Sequence, residues 1–223
     1  MIQLLNGDCL EVLKTLPDNS IDVILCDPPY GIDYQSNRIK DKSRRKNKIL
    51  NDKTPFIKFI QELPRLLKKS GCLFIFTKWT VQQQFIDECE RCGLKVKNVL
   101  IWDKAVHGMG DLKRSFGNRY ESIIFCANED FRFIGKRPVD ILRFNKVPAS
   151  ALVHPNEKPT ALLEYLISIT VNEDGTVLDP TMGSGTTGIA TKNIGRSFIG
   201  IELDKTYYDL CVKRINDCTE QIN

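Results

Sequence analysis

Two short runs hold the residues most able to do chemistry. The first, Asp27-Pro28-Pro29-Tyr30, places a carboxylate, two rigid residues and an aromatic ring after the apolar run Ile21-Asp22-Val23-Ile24-Leu25-Cys26. Neither proline can donate a ladder hydrogen bond and each fixes φ, so a strand ends there with the acid displayed just beyond it. The second, far downstream, is Val177-Leu178-Asp179-Pro180-Thr181-Met182-Gly183-Ser184-Gly185-Thr186-Thr187-Gly188, a strand, a glycine loop and a helix start. Its Gly183-x-Gly185-x-x-Gly188 spacing fits a nucleotide-cofactor fingerprint, in which glycines let a ligand approach the backbone. Glu202, closing the next strand-like run Phe198-Ile199-Gly200-Ile201, stands where an acid for ribose hydroxyls is expected.

Carboxylates at strand ends are useful only if the strands lie side by side, and the rest of the chain supplies that arrangement. Ile2 to Leu5 reads as a short strand, and Gly7-Asp8 opens a helix running to about Leu16. Thr54-Pro55 reads as the start of a helix with an apolar stripe of Phe56, Ile60, Leu63 and Leu67, kinked at Pro64 and ended by Gly71. Cys72 to Phe76 is a buried strand, and Thr80 caps a helix closed by Gly93. Val96 to Trp102 and Ser122 to Ala127 are two further strands, Pro159 begins a helix, and Asp204 caps the last one. Strands alternating with helices predict an α/β fold: a doubly wound, mostly parallel Rossmann-like sheet with an antiparallel strand near one edge, the Asp27 half preceding the glycine-loop half.

With 223 residues, 42% of them hydrophobic and 27% charged, one globular domain spanning 1–223 is expected. No apolar run approaches the roughly 20 residues of a membrane span, and the first residues do not read as a secretory signal, so a cytoplasmic protein is expected. The eight cysteines fall on apolar stripes; Cys89-x-x-Cys92 has no second pair at zinc spacing, so core packing is expected and no metal site. Charge is concentrated. Arg38, Lys40, Lys42, Arg44, Arg45, Lys46 and Lys48, with Asp41 the one acid among them, give a +6 segment in a chain of net charge +4. That segment lies in a non-periodic stretch of about 31–52, close after Tyr30, that is expected to be a mobile loop. It reads as a solvated loop that contacts phosphate.

Asp27-Pro28-Pro29-Tyr30 resembles the catalytic motif of amino-group DNA methyltransferases of bacteria and phages, and Asp179-Pro180-Thr181-Met182-Gly183-Ser184-Gly185-Thr186 resembles their S-adenosylmethionine (SAM) motif. Catalytic motif first and cofactor motif last is the order of the beta subgroup. His154-Pro155-Asn156-Glu157-Lys158-Pro159-Thr160 is similar to the segment that the family places beside the methionine end of the cofactor, and Gly200-Ile201-Glu202-Leu203-Asp204 with Tyr207-Tyr208 also matches. The likeness runs from Asn6 to about Ile215; Thr181 departs from it, standing where many members carry Phe.

The resemblance implies SAM as cofactor and double-stranded DNA as substrate, with a base flipped out of the helix. Asp27 and the Pro28 carbonyl would accept N–H bonds from the target amino group, Pro29 would stiffen the turn, and Tyr30 would offer a stacking face. Asp8, which also reads as a helix cap, would lie near the cofactor adenine. Lys158, Pro159 and Thr160 would lie near its carboxylate. Asp179, Pro180, Thr181, Gly183, Ser184, Gly185, Thr186, Thr187, Glu202 and Leu203 would line the rest. Short target-recognition insertions are expected at about 103–120 and 128–151, and the family brings in a homodimer and a cognate restriction enzyme as candidate partners. Asp at the first motif position favours adenine N6 over cytosine N4; an NAD-dependent oxidoreductase and an inactive DNA-binding subunit are the remoter readings.

Overall fold

The computed structural model describes residues 1–31, 54–107, 113–148 and 157–218. The basic segment from Arg38 to Lys48 and residues 154–156 lie outside them. Eight strands form one sheet: β1 (Ile2–Asn6), β2 (Ile21–Cys26), β3 (Leu67–Thr77), β4 (Val96–Asp103), β5 (Tyr120–Ala127), β6 (Ile141–Arg143), β7 (Thr176–Asp179) and β8 (Ser197–Glu202). Their spatial order is β1-β8-β7-β2-β3-β5-β4-β6. Only β5 runs against its neighbours β3 and β4; every other pairing is parallel. The expected doubly wound sheet with an antiparallel strand near one edge is therefore the fold observed.

Among the described residues, six α-helices cover the sheet: α1 (Cys9–Thr15), α2 (Leu63–Leu66), α3 (Gln82–Arg91), α4 (Thr160–Ser168), α5 (Thr186–Asn193) and α6 (Lys205–Asp217). The period-2 alternation of the strands decides which side each residue serves. Val23 and Leu25 of β2, with Phe74 and Phe76 of β3, face α4, α5 and α6 through Leu162, Leu166, Ala190, Cys211 and Ile215. Ile24 and Cys26, with Leu73 and Ile75, face α1, α2 and α3 through Leu13, Leu63, Phe85 and Cys89. All eight cysteines are free thiols.

The expected long helix from Pro55 to Gly71 does not form. Residues Lys58–Glu62 make a 3₁₀ turn that runs into the single turn of α2. Pro64 lacks an N–H, so it fits only at a helix start, and it occupies that place in α2. Leu67 then turns extended (φ −68°, ψ 132°) and begins β3 by pairing with Ile21. Thr54-Pro55 serves the catalytic turn instead: Pro55 bridges Tyr30, and the Phe56 N–H donates to the Pro29 carbonyl at 3.0 Å. Gly71 lies inside β3, where a Cβ would come within 2.9 Å of the Lys68 carbonyl and 3.1 Å of that of Ile21. The register of β2 against β3 shifts between Ile21 and Val23, and Gly71 lies in the slack of that irregularity.

The N-cap of α3 is Val81, one residue past the expected Thr80, with no side-chain cap bond. The 128–148 stretch, expected as an insertion, contributes β6 to the sheet edge beside β4, and Phe131 and Leu142 to the core.

Candidate active site

Four parallel strands lie side by side in the order β1, β8, β7, β2, and each carries an acid at its carboxyl end. Asp8 follows β1, Glu202 closes β8, Asp179 closes β7 and Asp27 follows β2. All four line one cleft, together with Pro28, Pro29, Lys158, Pro180, Thr181, Gly183, Ser184, Thr186, Thr187 and Leu203. Two motifs far apart in sequence are thus neighbours because parallel strands end at the same sheet edge. Phe56, Met182, Ile201 and Tyr207, to which the sequence assigns no ligand contact, add apolar surface.

Each acid has its own restraints. Glu202 accepts the Gly183 N–H at 2.9 Å through Oε2 and the Asp204 N–H at 2.8 Å through Oε1, which fixes the glycine loop against the start of α6. A carboxylate has about four acceptor positions, so Glu202 keeps capacity for a ligand hydroxyl. Asp8 accepts the Leu10 N–H at 2.9 Å as the cap of α1 while also lining the cleft, so the two roles coexist. Asp179 accepts the Thr181 N–H at 3.0 Å and the Thr187 hydroxyl at 2.6 Å, and burial pushes its carboxyl up to about 7.

Asp27 is engaged on both oxygens. Oδ1 accepts the Tyr30 hydroxyl and Oδ2 pairs with the Lys158 ammonium. Burial raises the Asp27 carboxyl above its ordinary value, with Lys158 pulling the other way. Lys158 is 8% exposed; its proton is held above the ordinary lysine value by Asp27 and Glu121, against the opposing effect of burial. Next to it, Glu157 pairs with Arg214 of α6, so this two-residue segment ties the Asp27 half to the cofactor half.

Tyr30, Pro159, Thr160 and Gly185 are not among the residues lining the cleft. Tyr30 is 8% exposed with its hydroxyl on Asp27, so its ring is packed away here rather than presented for stacking. Pro159 is the N-cap of α4 and Thr160 its first residue. Gly185 caps α5 in a left-handed conformation (φ +82°), where a Cβ would lie 2.3 Å from Cys211 Sγ. That glycine is required by helix packing. Gly185→Ala combines strained backbone with an overfilled contact, so a loss of about 2 to 3 kcal/mol in unfolding free energy is expected. A lowered urea midpoint at unchanged slope measures it.

A sequence profile of the DNA methylase family, the N6/N4 amino-methyltransferases, matches residues 21–149 and 134–213. The chain belongs to that family. It is 26% identical over 260 residues to the Type II methyltransferase M.BglII of Bacillus subtilis, covering 98% of this chain and 70% of that protein. It is also 26% identical over 247 residues to the Type II methyltransferase M.HinfI of Haemophilus influenzae, covering 96% and 68%. Among solved structures, M1.HpyAVI in complex with SAM is 28% identical with a TM-score of 0.75, covering 97% of this chain and all of that one. The cytosine-N4-specific PvuII DNA methyltransferase shares the fold at 16% identity and a TM-score of 0.77, covering 100% and 88%.

The donor set fits SAM. Among the described residues, six acidic side chains line the cleft (Asp8, Asp27, Glu157, Asp179, Glu202 and Asp204) against one cation, Lys158. That excess of negative charge suits a ligand bearing a sulfonium and an ammonium. Because Asp179 titrates near neutrality, a bound cation will favour its ionised form. SAM affinity is therefore expected to rise as pH increases from about 6 to 8, with proton release on binding, measurable by calorimetry in buffers of different ionisation enthalpy. The apoprotein behaves oppositely. A carboxyl whose folded pKa is raised favours the folded state below about pH 4, and that contribution is lost as pH rises through about 7.

Proposed function

We propose that this SAM-dependent DNA methyltransferase acts on the N6 amino group of adenine in double-stranded DNA, with the adenine turned out of the helix. The observation that supports this most is the Asp27 carboxylate beside Pro28 in the same cleft as Asp179, Gly183 and Glu202. SAM supplies the methyl group. An exocyclic amino group is a weak nucleophile because its lone pair is delocalised into the ring. Asp27 and the Pro28 carbonyl offer two fixed acceptors for its N–H groups, which orients the nitrogen and stabilises the positive charge it develops. The amino group cannot be reached inside a duplex, so the base leaves the stack at a cost of a few kcal/mol. Apolar residues of the cleft such as Phe56 offer surface that offsets part of that cost.

Asp at the first motif position supports adenine rather than cytosine N4. The reading also carries DNA contacts from the Arg38–Lys48 segment, target recognition by 103–120 and 128–151, a cytoplasmic location, and the homodimer and restriction-enzyme partners implied by the family. Among the described residues no helix is long and apolar enough to cross a membrane. DNA synthesised with N6-methyladenine throughout tests the target: it should accept no label from methyl-labelled SAM, whereas DNA synthesised with N4-methylcytosine should accept it fully. The reverse pattern would assign the enzyme to cytosine.

A further inference from the structure

Glu121 is the second residue of β5, paired with Trp102 of β4 and on the same face as Ile123 and Phe125. That face leads to the active-site edge, and an acid on it is out of keeping with the apolar residues that follow. The Glu121 carboxylate lies 2.5 Å from Lys104 Nζ and 3.3 Å from Lys158 Nζ. Lys158 in turn holds Asp27, so the order is Lys104, Glu121, Lys158, Asp27, Tyr30. Both ammonium groups also sit over aromatic rings, Lys104 at 5.3 Å from the Trp102 centroid and Lys158 at 5.1 Å from that of Phe76. These contacts restrict how far either can swing.

The arrangement creates a difficulty for the reaction and contains its solution. Lys158 on Oδ2 and Tyr30 on Oδ1 leave Asp27 further acceptor positions, but the Lys158 ammonium neutralises the charge that must face the amino group as it turns positive, so Asp27 acts best once that ammonium draws back. Removing Lys158 from its partner would strand a buried cation, which is costly. Glu121 Oε2 lies on the same ammonium, so the cation can give up Asp27 without losing all its compensation. We propose that Glu121 is a positioning residue for methyl transfer, receiving the Lys158 ammonium when the target amino group takes its place on Asp27. Lys158 and, after it, Lys104 hold Glu121 charged against burial, so that losing Lys104 leaves two carboxylates sharing the Lys158 ammonium. This inference rests on the methyltransferase reading above.

The test compares wild type, Glu121→Gln, Glu121→Asp and Lys104→Met in kcat, DNA KM, SAM affinity by calorimetry, thermal midpoint and the pH dependence of kcat. The charged and titratable groups that face Glu121 and Lys158 are Lys104, Asp27 and Tyr30. In Glu121→Gln, the Lys158 ammonium loses the Glu121 charge and keeps that of Asp27, so kcat is expected to fall about 10-fold or more with SAM affinity within about 3-fold of wild type. The acid limb should move to lower pH, because Asp27 loses a neighbouring negative charge. In Lys104→Met it should move to higher pH, because that charge is now uncompensated. Glu121→Asp, which keeps the charge, should return the limb towards wild type.

A folded Glu121→Gln enzyme with wild-type kcat and an unmoved limb overturns the inference, as does a shift in the same direction in Glu121→Gln and Lys104→Met. If wild type itself transfers no methyl to DNA, the methyltransferase reading falls as well. If wild type is active and Glu121→Gln is indistinguishable from it, only the role of Glu121 falls.

Discussion

Asp27→Ala is expected to bind SAM with an affinity within about 3-fold of wild type and to lose at least about 1,000-fold in kcat, near 4 kcal/mol of transition-state stabilisation. The separation of the two effects follows from where Asp27 stands. It follows β2, whereas the glycine loop and Glu202 follow β7 and β8, so truncating it leaves the Gly183 and Asp204 contacts of Glu202 in place. What it removes is the carboxylate that lines the cleft beside Pro28. It also leaves Lys158 with Glu121 as its remaining carboxylate, which keeps the ammonium paired and the fold intact. Asp27→Asn is the isosteric control: an amide that still fits between Tyr30 and Lys158 but carries no charge should lose most of the activity too. An Asp27→Ala enzyme that methylates at more than a tenth of the wild-type rate would remove Asp27 from the reaction.

Glu202→Ala should do the opposite, weakening SAM binding by about 100-fold, near 3 kcal/mol, before any effect on the chemical step. Two backbone donors, Gly183 N–H and Asp204 N–H, lose the acceptor that aligns the glycine loop with the start of α6. Hydrogen bonds to a charged group contribute about 1.5 to 3 kcal/mol each, so the loop loses its restraint as well as any direct ligand contact. Glu202→Gln presents one oxygen and one NH₂ to those two donors, and the NH₂ faces an N–H it cannot satisfy. Its affinity should therefore fall between the other two. Equal SAM affinity for wild type and Glu202→Ala in calorimetry would remove Glu202 from the cofactor site.

The contrast between these two variants reflects what a sequence can and cannot carry. Asp27, Asp179 and Glu202 were legible because each ends an apolar run, and parallel strands bring such ends to one edge. The meaning of Gly185 was not legible: its spacing fits a cofactor loop, but the atom that excludes a side chain there is Cys211 Sγ on α6. The 55–67 stripe has helical spacing, yet Leu67 goes to pair with Ile21, a choice set by the sheet rather than by local propensity. The three-residue strand β6 is too short for periodicity to reveal. Tyr30, which the sequence resemblance presents as a stacking face, is buried with its hydroxyl on Asp27 and its backbone bridged to Pro55, contacts that no local pattern around Tyr30 reveals. Glu121 escaped notice because its partner Lys158 lies in a segment whose approach depends on tertiary packing. The detectable signal was an acid immediately before an apolar strand.

The most direct test of the central claim is mass spectrometry of nucleosides from DNA incubated with the purified enzyme and SAM, beside the same reaction with Asp27→Ala. The account predicts N6-methyladenine from wild type and none from the variant. N4-methylcytosine from wild type would contradict the adenine assignment, and N6-methyladenine at comparable levels from both enzymes would contradict the role of Asp27.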